Sequence, residues 1–205
     1  MLLGNFVIIY TFHLSYEELG LSLKKESILM HTFGFILLVV FVLLSLLIAN
    51  VDIKEELLKF SWVDILAFTI AALADEIYFR GIIYRLLEVW DEKTAFVGSS
   101  LIFGFWTIQV GYFLILPSAL TPIERIIFAL GLSALRYTSK MIFLTIPAHI
   151  VINVHNAIMQ STGVSNQLAL LSYVLLLIAI GILLGSSEYV ERRKEKGSKP
   201  VQELQ

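Results

Sequence analysis

Long apolar segments separated by short polar stretches dominate the sequence. The longest covers 27–49 and exceeds the roughly 20 residues that a helix needs to cross a bilayer. Similar segments occur at 62–84, 94–116, 122–135, 141–159 and 167–185, and a shorter one, which we interpret as a first span, at 1–12. The pattern predicts an all-α, polytopic transmembrane helical bundle of about seven spans.

The composition agrees with a lipid environment. The chain is 58% hydrophobic and 16% charged, with a mean hydropathy of +0.83, whereas soluble domains have about 25% charged residues. A net charge of -2 and scattered basic residues argue against nucleic acid as a partner. The absence of cysteine excludes a thiolate nucleophile and Cys-ligated metal. Phosphate-binding loops, dinucleotide fingerprints and a Gly-x-Ser-x-Gly elbow are also missing, so we predict no cofactor.

The distribution of Lys and Arg predicts an orientation, because these residues accumulate on the cytoplasmic side of membrane proteins. With the C-terminus inside, most of the basic residues fall in cytoplasmic segments, at positions 24, 25, 85, 93, 136, 140 and between 192 and 199. We therefore expect an integral protein of the cell membrane with a cytoplasmic C-terminus.

Three ionisable residues interrupt the segment at 62–84. They belong to the run Asp-Glu-Ile-Tyr-Phe-Arg at 75–80. A charge at that depth costs roughly 2.5 to 3.5 kcal/mol on insertion scales and commonly marks a functional site. Glu76 and Arg80 are four apart and share a helical face, so we expect them to form an ion pair. Asp75 points about 100° away from Glu76 and has no local cation, which favours Asp75 as a proton acceptor or donor.

A second polar stripe lies in PAHIVINVHN, at 147–156. His149 and Asn153 share one helical face, and Asn156 follows at helical spacing. Because such a face must be hidden from lipid, we expect it to meet the stripe at 75–80.

These residues resemble the CPBP, or Abi, family of intramembrane CAAX prenyl and bacteriocin-processing endopeptidases. Asp75-Glu76-Ile-Tyr-Phe-Arg80-Gly is similar to the family's Glu-Glu-x-x-Phe-Arg-Gly motif, and His149-x-x-x-Asn153 is similar to its last motif. The segment SYEELGLSLKK at 15–25 resembles the linker that precedes the family's core. The resemblance implies N-terminal spans and a linker at 1–60, a CPBP/Abi-like core at 61–160, a last span at 161–187 and a charged cytoplasmic tail at 188–205.

The resemblance also implies a chemistry, namely peptide-bond hydrolysis by carboxylate-activated water without a covalent intermediate. Asp75 would be the general base, Glu76 and Arg80 would support it, and His149 and Asn153 would form the oxyanion site. The partners would be the lipid bilayer and a peptide or membrane-protein substrate.

Two positions depart from the family pattern. The first motif starts with Asp75 where the family has Glu, and the shorter side chain withdraws the carboxylate from the water. The second motif, Phe-x-x-x-His in the family, has Thr107 as its last residue. A threonine hydroxyl can hold a water but is not a base near neutral pH. Gln109 is the nearest larger polar residue.

Three hypotheses follow. The first is an active or weakened peptidase in which Asp75 or Glu76 activates water with help from Thr107 or Gln109. The second is a catalytically inactive family member whose cavity binds a peptide, a lipidated tail or a membrane-protein partner. The third, a metal-dependent hydrolase with Asp75, Glu76 and His149 as ligands, ranks last because only His149 supplies a well-placed nitrogen.

One further spacing concerns packing. Gly181 and Gly185 form a Gly-x-x-x-Gly step in the last apolar segment, which predicts close approach of a neighbouring helix of this chain.

Overall fold

The regular structure is helical throughout. The computed structural model describes residues 2–22, 25–113, 122–163 and 166–197, and no strand occurs in these ranges, which confirms the all-α prediction. In chain order the helices are α1 (Leu2–Thr11), α2 (Lys25–Ile48), α3 (Ile53–Leu57), α4 (Trp62–Asp75), a π-helix π1 (Glu76–Ile83), α5 (Tyr84–Glu88), α6 (Glu92–Phe113), α7 (Pro122–Ser139), α8 (Thr145–Ser161) and α9 (Asn166–Gly197).

The helices coincide with the predicted apolar segments, but fewer of them qualify as candidate membrane spans. Within the described residues, Ile28–Ile48 and Tyr173–Val190 are long and apolar enough to cross a membrane by length and composition. Their mean hydropathies are 2.6 and 1.9. The arrangement of about seven spans stays a prediction. Helix α9 also continues past 185 to Gly197, since the Glu, Arg and Lys residues there favour helix.

Large apolar side chains point outward along several helices. Trp62 and Trp90 flank the helix that carries the 75–80 motif and are 77% and 76% exposed. Other exposed apolar residues lie on α1, α2 and α9, among them Leu3, Phe6, Leu47 and Ile178. Soluble monomers rarely expose large apolar patches. Such a surface agrees with a lipid environment.

The main core lies between α2, α7, α8 and α9. Its buried side chains include Leu38, Phe41, Leu132, Leu135, Ile152, Leu176 and Leu183. A polar pair is enclosed in this core, where the Ser45 hydroxyl lies 2.7 Å from His155 Nε2. Both residues are at most 3% exposed. Because the imidazole is satisfied by Ser45, the fold can bury it between the rings of Phe41 and Phe128.

Glycines permit close approach of helices in this fold, but not at the predicted pair Gly181 and Gly185. A Cβ on Gly181 or Gly185 would meet nothing within 4 Å among the described residues, so the prediction of a neighbouring helix seated there is wrong. At Gly104 a Cβ would collide with Ile126 Cγ1, and at Gly34 with Leu135 Cδ2. The close contacts therefore lie between α6 and α7 and between α2 and α7.

The segment between α1 and α2 folds into a compact turn that reaches the core. The backbone N–H and the hydroxyl of Ser15 each donate to the Glu18 carboxylate at 2.9 Å. These hydrogen bonds hold the pKa of Glu18 below its usual range. Leu19, the next residue, is fully buried. This turn therefore holds the linker against the helix that contains Gly81, which Leu19 contacts.

Candidate active site

The motif at 75–80 lies where one helix changes its hydrogen bonding. Helix α4 ends at Asp75, and Glu76 begins π1, a stretch of π-helix in which the hydrogen bonds span five residues rather than four. The regular α-helix expected over 62–84 is therefore wrong between Glu76 and Ile83. The widened turns bury Glu76, Phe79, Arg80 and Ile82. Short π segments are frequent at functional sites.

Glu76 joins the two predicted polar stripes. Its Oε1 lies 3.2 Å from Arg80 Nη1 and 2.8 Å from His149 Nδ1. Glu76 and Arg80 are fully buried, and His149 is 5% exposed. An ionised carboxylate only accepts hydrogen bonds, so His149 donates its Nδ1–H. The ion pair expected from the spacing of four is present, and the helices α4–π1 and α8 meet at it.

Arg80 is held from three directions. Besides the ion pair, Arg80 Nη2 donates to the carbonyl of Ala129 in α7 at 3.0 Å. The guanidinium also sits over the Phe103 ring, with 4.4 Å from Cζ to the ring centroid. A desolvated cation–π contact of this kind contributes about 2 kcal/mol. Arg80 thus links π1 to α6 and α7 and has little freedom to leave Glu76.

Phe103 is a site residue that the polar pattern did not reveal. Its ring contacts His149 edge to face, with centroids 5.6 Å apart, while its face carries Arg80. Phe79 packs on it at 5.0 Å and 88°. Phe103 therefore fixes the orientation of both polar partners of Glu76. The signal in the sequence was its place as the Phe of the Phe-x-x-x-His-like stretch.

Asp75 and Asn153 stand apart from this hydrogen-bonded centre. Asp75 is half-buried and interacts electrostatically with Glu76, Arg80 and His149. Asn153 is also half-buried, one turn after His149 on α8. Among the described residues, neither side chain has a hydrogen-bond partner. Both amide and carboxylate are therefore free to bind another molecule.

Thr107 is directed to its own helix. Its hydroxyl donates to the Gly104 carbonyl at 2.8 Å, and its backbone carbonyl accepts from Arg125 Nη1 at 2.8 Å. No contact joins Thr107 to Glu76 or His149 within the described ranges. The side chain of Gln109, the other polar residue considered for this place, lies outside the described residues.

A metal-dependent mechanism would need a cluster of ligands. Asp75, Glu76 and His149 do not form one, and no group of three or more His, Asp, Glu or Cys side chains that could hold a metal ion occurs in the part of the chain described. Catalytic zinc usually has three protein ligands. The third hypothesis therefore has no ligand set there.

Comparison with known proteins places the chain in a family. No curated protein and no solved structure matches it. A family model described as Type II CAAX prenyl endopeptidase Rce1-like matches residues 35–155, more than half of the 205 residues. The match includes 75–80 and the His149–Asn153 pair and confirms the resemblance to membrane-embedded CAAX proteases. The chain belongs to the Rce1-like family of type II CAAX prenyl endopeptidases.

Proposed function

We propose that this protein is an intramembrane peptidase that hydrolyses a peptide bond with carboxylate-activated water. The observation that carries the proposal is the 2.8 Å contact between Glu76 and His149, which brings two motifs from separate helices together in a buried place. In such a low-dielectric site, fixed charges and hydrogen-bond donors act more strongly on a developing charge than they do in water.

Asp75 is the general base in this proposal, since its carboxylate has no hydrogen-bond partner among the described residues. A water proton moves to Asp75 as the water oxygen bonds to the peptide carbonyl carbon. The tetrahedral intermediate then expels the amine, which receives the proton from Asp75. Glu76 and Arg80 support the site by holding His149 in place.

His149 and Asn153 form the oxyanion site. With Nδ1–H donated to Glu76, the His149 nitrogen that faces a substrate is Nε2, which donates a hydrogen bond when the ring carries both protons. The Asn153 amide adds a second donor one turn along the same helix. Removing one oxyanion donor commonly lowers kcat about 100- to 1000-fold.

The test is cleavage of a peptide library by the purified protein in lipid. We expect Asp75→Asn to lower kcat at least about hundredfold, the range typical of a lost general base. Asp64→Asn is the matched control, because Asp64 is a carboxylate in the first turn of the same helix that closes a capping box with Ser61. Equal activity of Asp75→Asn and the wild type would refute the assignment.

Thr107 favours a second candidate, a catalytically inactive member that binds a peptide, a lipidated tail or a membrane-protein partner in the same place. Its hydroxyl donates within α6 instead of facing Glu76 and His149. If the wild type cleaves nothing in the library while Thr107→His gains cleavage, the inactive alternative replaces the peptidase. A stoichiometric partner that co-purifies, and is lost on His149→Leu or Asn153→Leu, would support it directly.

The proposal includes a topology of about seven spans in the cell membrane with the C-terminus in the cytoplasm. The lack of native cysteine makes it testable. Single cysteines introduced in the linker and in the charged tail should react with a membrane-impermeant thiol reagent only after the cells are opened. Labelling of the tail in intact cells would contradict the orientation.

A further inference from the structure

Residues 2–22 precede the family match at 35–155, yet they contact the motif helix just before π1 and again within π1, towards its C-terminal end. Just before π1, the Asn5 side chain donates from Nδ2 to the carbonyl of Ala74 at 2.9 Å. Ala74 directly precedes Asp75. Asn5 is 3% exposed and is the only buried residue of α1 among those whose side chains are described. A polar side chain is thus the most deeply buried one of a helix whose other described side chains are exposed or half-buried.

Towards the C-terminal end of π1, the return from π to α hydrogen bonding affects one carbonyl. The Tyr84 N–H donates to the Phe79 carbonyl, five residues back, and α-helix follows from Tyr84. In α-helix the next N–H bonds four residues back, which skips the carbonyl of Arg80. Arg136 Nε of α7 donates to that carbonyl at 3.3 Å. A buried carbonyl needs such a partner.

The linker holds Arg136 at this carbonyl. Arg136 Nη2 donates to the Glu18 carbonyl at 3.4 Å, and its guanidinium lies over the Tyr84 ring at 5.1 Å. Gly20 adopts a φ of +75°, and a Cβ there would lie 2.8 Å from Arg136 Cζ. Arg136 is 3% exposed. The close packing of the linker backbone on the Arg136 side chain therefore restricts Arg136 to this position.

A third contact lies next to Arg80. Leu19, fully buried, packs against Gly81 in π1, where a Cβ would come within 3.4 Å of Leu19 Cδ2. Together these contacts form an N-terminal clamp, which we define as Asn5, Leu19 and the Glu18–Arg136 pair.

We propose that the N-terminal clamp maintains the π form of the motif helix, which makes Asn5 and Arg136 positioning residues for Glu76 and its contact with His149. If the clamp is loosened, π1 relaxes toward a regular α-helix, and residues after the relaxed turn rotate relative to Asp75. The inference rests on the proposed peptidase only for its effect on catalysis, because the Glu76–His149 contact can be measured by itself.

The experiment follows the His149 Nδ1 proton by NMR of the full-length protein in micelles. The chain has four histidines, so the imidazole signals are few, and His149→Gln assigns the hydrogen-bonded one by its loss. We expect Arg136→Met and Asn5→Leu to remove or shift that signal while helical content stays at the wild-type level. Arg136→Lys tests whether charge alone suffices, and we expect it to restore the signal only in part.

Arg85→Met is the matched control. Arg85 is another arginine beside the linker, and it pairs with the Glu18 side chain at 3.4 Å. It makes no contact with the Arg80 carbonyl among the described residues, so the signal should remain unchanged. If the wild type cleaves peptide, Arg136→Met should lower kcat about a hundredfold with KM changed less than about twofold, since misplacement near 1 Å has effects of that size.

The outcomes separate the clamp from the proposed function. An unchanged His149 signal in folded Arg136→Met and Asn5→Leu would overturn the clamp, whatever the activity. Loss of the signal in a protein whose wild type cleaves nothing would support the clamp while the peptidase fails. Should Arg136→Met not fold, Gly20→Ala loosens the clamp from the linker side, because the added Cβ meets Arg136 Cζ and the positive φ of Gly20 disfavours a side chain. Collapse of the helical content in all three variants would assign these contacts to folding and overturn a positioning role.

Discussion

The buried ion pair between Glu76 and Arg80 supports a prediction of stability. The perturbation is Arg80→Met, which keeps an unbranched apolar side chain but removes the charge. Both residues are fully buried, so the Glu76 carboxylate would lose its nearest permanent cation in a place that water does not reach. His149 remains 2.8 Å away but is charged only when doubly protonated.

The magnitude follows from the burial. Removing one partner of a buried pair destabilises a protein by about 3–5 kcal/mol, because the other charge is left uncompensated. The substitution also removes the hydrogen bond to the Ala129 carbonyl and the contact with Phe103. We therefore expect the upper part of that range. The double variant Glu76→Gln/Arg80→Met leaves no uncompensated charge, and we expect it to lose clearly less than Arg80→Met alone.

The assay is reversible unfolding in detergent micelles, followed by circular dichroism, for the wild type, both single variants and the double variant. For a chain of this length about 1 kcal/mol corresponds to about 2–4 °C in Tm. Arg80→Met should therefore lower Tm by about 8–20 °C. A loss below about 1 kcal/mol, or single-variant losses that simply add in the double variant, would refute a strong buried coupling between the two side chains.

Three further outcomes are expected elsewhere in the chain. Gly104→Ala should lose about 1–3 kcal/mol relative to Gly181→Ala in the same unfolding assay, because a Cβ collides with α7 only at Gly104; equal effects would contradict the close α6–α7 contact. Ser45→Ala should lose about 1–3 kcal/mol by leaving His155 Nε2 buried without its partner, and a neutral result would show that another group replaces the hydroxyl. The Glu18 carboxyl should titrate, by carbon NMR, below the ordinary value of about 4.3. Because the pKa of Glu18 is lowered in the folded state, its hydrogen bonds stabilise the linker turn at pH values above the ordinary pKa. This stabilisation is lost as the pH falls through the folded-state pKa. A titration midpoint at or above about 4.3 would contradict these hydrogen bonds.

The helices and the meeting of the two polar stripes could be predicted from the sequence. Apolar runs of sufficient length specify helices in lipid, where every backbone group must be bonded internally. Charged residues in such runs must face one another, which is why Glu76, Arg80 and His149 could be brought together on spacing alone. The same argument does not predict the contacts of Asn153 or Thr107, since a neutral side chain can bond within its own helix or remain without a partner.

The remaining site features have weak signals in the sequence. The π form of 76–83 leaves no distinct apolar period over so few residues. Asn5 and Arg136 donate hydrogen bonds to backbone carbonyls. Every residue has a backbone carbonyl, so the sequence does not show which of them needs a donor. The error at Gly181 has a related cause, because glycine spacing shows that a surface permits close approach and does not show that a helix lies there.

The π-helix also bears on which changes of chain length this fold tolerates. A π turn contains more residues than an α turn between its hydrogen-bonded groups, so the motif helix can lose one residue and still close its backbone bonds as ordinary α-helix. Such a deletion between Glu76 and Arg80 would leave the helix after π1 close to its present orientation, whereas a deletion within the regular helix α4 would rotate everything that follows by about 100°. A one-residue deletion here should thus disturb the packing of the later helix less than the same deletion in α4, and an alignment gap within these few positions separates a π form from an α form of the same helix.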